Sequence, residues 1–178
     1  MSNFVIDPYT SFPAVSDILW NQDKDEADMF FNTYARCAMY YVNPGASMIG
    51  KTLKTFTMRM RSKVVSPADN PTVFGVWSKT NVTTTPTTSF SGTGALTNNT
   101  NQLSTSNVDY TFTGSHVLVA EDNIGFVPLN NTVDDYAVRR TNTTVAIDMK
   151  VSNYFITSPP TWNIGANSQL PFGYGSQV

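Results

Sequence analysis

The sequence predicts an all-β protein, an antiparallel β-sandwich with extended arms at both ends, and three observations carry that expectation. Several segments alternate apolar and polar residues with period two, as half-buried strands do because successive side chains point to opposite faces. Ser, Thr and Asn make up about a third of the 178 residues, which favours strands through threonine's branched Cβ and turns through Ser and Asn. No convincing amphipathic helix of about ten or more residues is found.

In chain order, residues 1–22 hold prolines and aperiodic aromatics, and are expected to form an N-terminal arm pinned at Phe4, Phe12 and Trp20. The next segment, NQDKDEADMFFN, crowds Asp23, Asp25, Glu26 and Asp28, and suits a helical turn with acidic residues near its N-terminus. A strand at about 34–42 stops at the turn signal NPG, residues 43–45. GKTLKTFTMRMRS, residues 50–62, places Phe56, Met58 and Met60 on one face and Thr55, Thr57, Arg59 and Arg61 on the other. TVFGVWS, residues 72–78, is a further strand, and the Thr/Asn-rich stretch at about 80–107 reads as a loop unable to build a core. Beyond it come DYTFTG, HVLVAE, NIGFVPL, YAVRR and TTVAIDMKV, with NYFIT extending the last strand or opening another. The organisation is therefore an arm at 1–22, a sandwich domain at 23–157 and a C-terminal arm at 158–178. The expected core is Phe56, Met58, Met60, Tyr110, Phe112, Val117, Val119, Val145, Ile147 and Met149.

A formal charge of −2 and a sequence pI near 5.2 leave no broad basic field, which argues against a nucleic-acid partner. The first twenty or so residues lack a basic start and an unbroken apolar run, so neither a signal peptide nor a membrane anchor is expected. With a lysine-poor, hydroxyl-rich surface, that suits a protein made in a host cytoplasm and used in a released virion. The single cysteine, Cys37, permits no internal disulfide and is expected to be an inert thiol in an apolar strand.

The order GKTLKTFTMRMRS, FGVWS, YTFTGSHVLVAEDNIGFV resembles a β-jelly-roll domain found in secreted and viral proteins, over roughly residues 46–127. The resemblance rests on a Gly-Lys-x-Leu strand start, a short strand ending near tryptophan and an aromatic-Thr-Phe run leading to Asp-x-Ile-Gly. It implies a noncatalytic sandwich used in carbohydrate binding, adhesion or particle structure.

Nucleophilic catalysis needs a base beside a hydroxyl or thiol, and the only histidine, His116, sits in GSHVLVAE, where a surface or edge position is expected. One histidine and one cysteine cannot make a standard zinc site. Hard oxygen ligands make Asp23, Asp25, Asp28 and Asp122 weak calcium candidates, the first set joined by Glu26 and the last by Glu121, Asn123, Asp134 and Asp135. No cofactor is expected. Four Asn-x-Ser/Thr sequons, at Asn81, Asn98, Asn130 and Asn142, match the number chance supplies at this composition. Trp77 falls on the phase opposite Phe74 and Val76, so internal cover, a neighbouring protein or a glycan must shield it.

These readings converge on a noncatalytic structural protein of a virus particle, a capsid, decoration or tail component. Its expected partners are copies of itself or other proteins of the same particle. Trp162, Phe172, Tyr174, Phe4, Phe12 and Trp20 are the expected subunit anchors, and Trp77, Arg59 and Arg61 the expected ligand or subunit face. The alternative is a carbohydrate-binding or adhesive module; a hydrolase of unfamiliar type is a third reading.

Overall fold

The computed structural model describes residues 17–30, 35–65, 71–92, 96, 102–129, 136–142, 148–155, 161–165 and 170–178. The described residues form strands and turns, without an α-helix: β1 (Ile18–Gln22), β2 (Ala27–Phe30), β3 (Ala35–Val42), β4 (Thr52–Ser62), β5 (Thr72–Trp77), β6 (Thr88–Gly92), β7 (Val108–Val117), β8 (Asn123–Pro128), β9 (Tyr136–Arg140), β10 (Met149–Phe155), β11 (Thr161–Ile164) and β12 (Gly173–Ser176). All pair antiparallel in one sheet curled into a half-barrel, in the order β1-β12-β4-β7-β6-β5-β8-β3-β10-β11, with β9 also on β4 and β2 on β9.

The curl is set at β6. Its first half pairs with β5 (Phe74 opposite Phe90), and its last two residues pair with β7 (Gly92 opposite Phe112). Gly114 opens room there, since a Cβ on it would lie 2.7 Å from the Phe90 ring. The bend brings Phe74 onto Phe112, stacked with centroids 4.4 Å apart, and Phe56 (4.8 Å from Phe112), Phe90 and Phe126 continue the aromatic core. Rings in such tilted and stacked pairs contribute beyond the area they bury.

Phe56, Met58, Met60, Tyr110, Phe112 and Met149 are buried as the alternation predicts; Val145 and Ile147 lie outside the described residues. Val117 and Val119 do not join them, being 55% and 49% exposed. The sequence places DYTFTG and HVLVAE in separate strands, whereas β7 spans Val108–Val117 and its register on β4 shifts between Leu53 and Thr55; even-numbered positions of β7 stay inward across that shift, so Leu118 and His116 take the inner side. The helical turn expected in NQDKDEADMFFN does not form: residues 23–26 are irregular and β2 starts at Ala27, with Asp28 opposite Arg139. The expected coreless loop at 80–107 contains β6 and buries Phe90, Leu96 and Leu103.

β1, β11 and β12 lie in the described parts of the two expected arms. β12 lies between β1 and β4, and β11 pairs with β10. The Gly-Tyr-Gly stretch looks irregular in sequence because its inward positions carry no side chain. Trp20 fills the space over Gly175, and the Tyr40 hydroxyl approaches Gly173. Trp20 in turn packs 5.1 Å from Tyr40.

Candidate functional site

The outer face of β4 is register-fixed against both neighbours. Thr57 lies opposite Tyr174 of β12 and Thr111 of β7, Thr55 opposite Ser176 and Thr113, and Arg59 opposite Asp109. The Thr57 and Thr111 hydroxyls bond each other at 2.9 Å. Arg59 makes a two-pronged contact to Asp109 (2.6 and 2.8 Å), donates to Asp25 at 2.9 Å and lies 4.0 Å over the Phe172 ring. Arg61 reaches Asp28 at 2.6 Å, and Arg139 ties Asp25 to Asp28, with 2.9 Å to Asp28 Oδ1. The planar guanidinium fork suits such multi-carboxylate pairing.

Burial works to raise the Asp25 and Asp28 carboxyls, but hydrogen bonds from Arg59 and Arg139, and from Arg61 and Arg139, win and hold both below the ordinary carboxylate value. The hydrogen bonds that Arg59 donates to Asp109 and Asp25 raise its own pKa in return. Folded carboxyls with a lowered pKa bind fewer protons than the unfolded chain, so their stabilisation is complete above the unfolded value near 4 and is lost as pH falls through the folded one. Arg139→Met should therefore cost about 1–2 kcal/mol near neutral pH, because each of two partly buried carboxylates loses one of its two guanidinium partners, Asp25 keeping Arg59 and Asp28 keeping Arg61. It should also flatten the loss of stability in acid. Urea midpoints of both proteins from about pH 7 down to about pH 3 check this; parallel curves would contradict it.

A second polar cluster occupies the inner phase, and the sequence reading missed it by placing His116 on the surface. The fully buried Asp122 carboxylate accepts from the Val119 backbone N–H (2.8 Å) and lies 3.0 Å from His116 Nε2. His116 Nδ1 lies 2.7 Å from the Thr88 hydroxyl. A carboxylate only accepts, so Nε2 carries a proton toward Asp122, and in the neutral imidazole Nδ1 then accepts from the Thr88 hydroxyl. The available signal was period: His116 shares the parity of Tyr110 and Phe112. On the other side of the same turn, Glu121 sits at φ 68 and bonds Lys79 and the Tyr41 hydroxyl (3.0 Å). Lys79 and then Tyr41 lower the Glu121 carboxyl, while burial and then Glu121 push the Tyr41 phenol up to about 12.

Of the expected calcium ligands, Asp25 and Asp28 face arginines and Asp122 faces His116, while Asp23 is exposed. Glu26 accepts from the Thr141 hydroxyl, and Asp134 and Asp135 lie outside the described residues. No group of three or more His, Cys, Asp or Glu gathers among the described residues.

Trp77 is fully buried, so of the three shields expected for it the structure shows internal cover. Its indole donates to Thr83 O (3.0 Å) and meets Trp162 edge-on at 6.3 Å, while Trp162 donates to Asn81 O (2.9 Å). The 78–87 loop thus roofs the outer face of β5, satisfying Trp77 within the chain. Trp20, Trp162 and Phe172, expected as subunit anchors, also pack within their own chain. Tyr174 stays 38% exposed. Phe4, Phe12 and the Cys37 side chain lie outside the described residues. No family model, curated protein or solved structure matches this chain.

Proposed function

We propose that this chain is a noncatalytic structural protein of a virus particle, a capsid, decoration or tail component, with a jelly-roll-like sandwich body. The observation that supports this best is the meeting of the two ends of the fold. β1 pairs with β12, and Gln177 N donates to Asp17 O at 2.8 Å. The C-terminal segment is thereby held within its own sheet, and the assembling role narrows to residues 1–16, which precede Asp17, itself bonded to the C-terminal segment. Phe4 and Phe12 are the proposed anchors on a neighbouring copy or another protein of the same particle.

The charge-balanced outer face around β4, shared with β7, β9 and β2, suits close packing in an assembly, since Arg59, Arg61 and Arg139 are matched by Asp25, Asp28 and Asp109. The carbohydrate-binding reading keeps one aromatic there, the exposed Tyr174 beside the Thr57–Thr111 hydroxyl pair. It loses Trp77.

Deleting residues 1–16 should leave the thermal midpoint within about 2 °C of the full chain while reducing regular assemblies to single subunits. Sedimentation and electron microscopy of both proteins provide the test. A full-length chain that stays monomeric at every concentration, or a truncated one that still assembles, would defeat the proposal.

A further inference from the structure

We infer that Thr88 is an activated hydroxyl, an acyl-acceptor site for activated esters, with His116 as its base and Asp122 as the group that positions and charge-balances the base. The three residues come from three places: Thr88 opens β6, His116 is near the end of β7, and Asp122 closes the turn between β7 and β8. They are in line, at 2.7 Å from Thr88 Oγ1 to Nδ1 and 3.0 Å from Nε2 to Asp122 Oδ2. A nucleophile within hydrogen-bond reach of a base, itself oriented by a third group, is the arrangement that activates a hydroxyl.

Two further features fit a reactive hydroxyl better than a structural plug. Asp122 is wholly buried and its Oδ1 has no hydrogen-bond partner, so beyond the Val119 N–H on Oδ2 its charge faces only the imidazole, which it can stabilise as an imidazolium. Thr88 itself is partly exposed, and the His116 side chain keeps 13% of its surface. Other ordered hydroxyls differ: Thr57 bonds Thr111, and Thr87 bonds Ser78 and accepts from the Asn81 amide. Thr88 alone among the described residues faces an imidazole, the chain having one histidine.

The step balances without a cofactor. Thr88 Oγ1 attacks the ester carbonyl as its proton passes to His116 Nδ1. The bond from the acyl carbon to the leaving oxygen then breaks, and the imidazolium returns the proton to that oxygen. The product is an ester on Thr88 and a free alcohol or phenol. This is a single modification rather than turnover, and it stands independently of the assembly reading.

The probe is 4-nitrophenyl acetate, applied to the full chain at neutral pH. Expected are a burst of nitrophenolate of about one per chain and one acetyl group located by peptide mass spectrometry on Thr88, with lysine acetylation counted separately. Thr88→Val, which keeps the side-chain shape, should remove the burst while leaving the circular dichroism spectrum unchanged. His116→Gln should slow it on the order of a hundredfold or more. Asp122→Asn, if it folds, should slow it similarly. Absence of acetyl on Thr88 in the folded wild type, labelling equal to that of the urea-unfolded chain, or an undiminished burst from Thr88→Val would each overturn the inference.

Discussion

Removing residues 170–178 should abolish the cooperative unfolding transition. β12 is interior to the sheet, bonded to β1 on one side and to β4 on the other, so its loss leaves two ladders unpaired and separates β1 from the body. The segment before it is as deeply built in. Leu170 is fully buried, Tyr40 donates its hydroxyl to Pro171 O at 3.0 Å, and the Gln22 amide donates to Leu170 O and Pro171 O. Backbone bonds from Arg59 N to Phe172 O and from Phe172 N to Arg139 O tie the same segment to β4 and β9. A buried leucine contributes about 2 kcal/mol and each ladder bond about 1 kcal/mol, while a domain's whole margin is about 5–15 kcal/mol. Thermal and urea unfolding of the truncated chain, followed by near-ultraviolet circular dichroism, should show no native baseline. A truncated protein that retained a sharp transition would mean that β12 is dispensable.

Gly173→Ala should be among the most damaging single substitutions. A Cβ at that position would sit 1.8 Å from the Thr57 backbone oxygen and 2.7 Å from the Tyr40 hydroxyl. The φ of +151° is itself one that side chains rarely adopt. The obstacle is the backbone of a paired strand, which cannot turn aside as the end of a flexible side chain can. A loss of about 3 kcal/mol or more is expected, with Gly175→Ala close behind because its Cβ would lie 2.0 Å from the Trp20 ring. Tyr174→Ala, between them and facing outward, should cost about 1 kcal/mol or less. Urea midpoints for the three variants check this order. Equal costs at 173 and 174 would show that the close approach is not what requires the glycine.

Much of the body was legible because it depends on local pattern. The alternation in TLKTFTMRMRS names the buried Phe56, Met58 and Met60 and the outward Thr55, Arg59 and Arg61 without any knowledge of partners. The charged face was only half legible. Asp25 and Asp28 read as a lone acidic cluster, and the arginines that claim them come from residues 59, 61 and 139. Ion pairs formed across strands leave no spacing signal in the chain.

By itself the sequence determined an all-β antiparallel protein, most of its strands and the inner phase of β4, because propensity and period-two burial act within a few residues of one another. Tertiary structure alone decided that β12 would be an inner strand, that Trp77 would be roofed by the 78–87 loop, and that His116 would meet Asp122 and Thr88. Each of those outcomes pairs a segment with a surface supplied elsewhere in the fold. Glycines that look like flexible linker are in fact the gaps that receive Trp20 and the Thr57 backbone. The inward phase of β7, kept across the register shift opposite Leu53 and Thr55, exchanges Val117 for His116 on the inner side. The sheet's register carries that choice, and register is set by the sum of all pairings in the sheet rather than by the composition of any one strand.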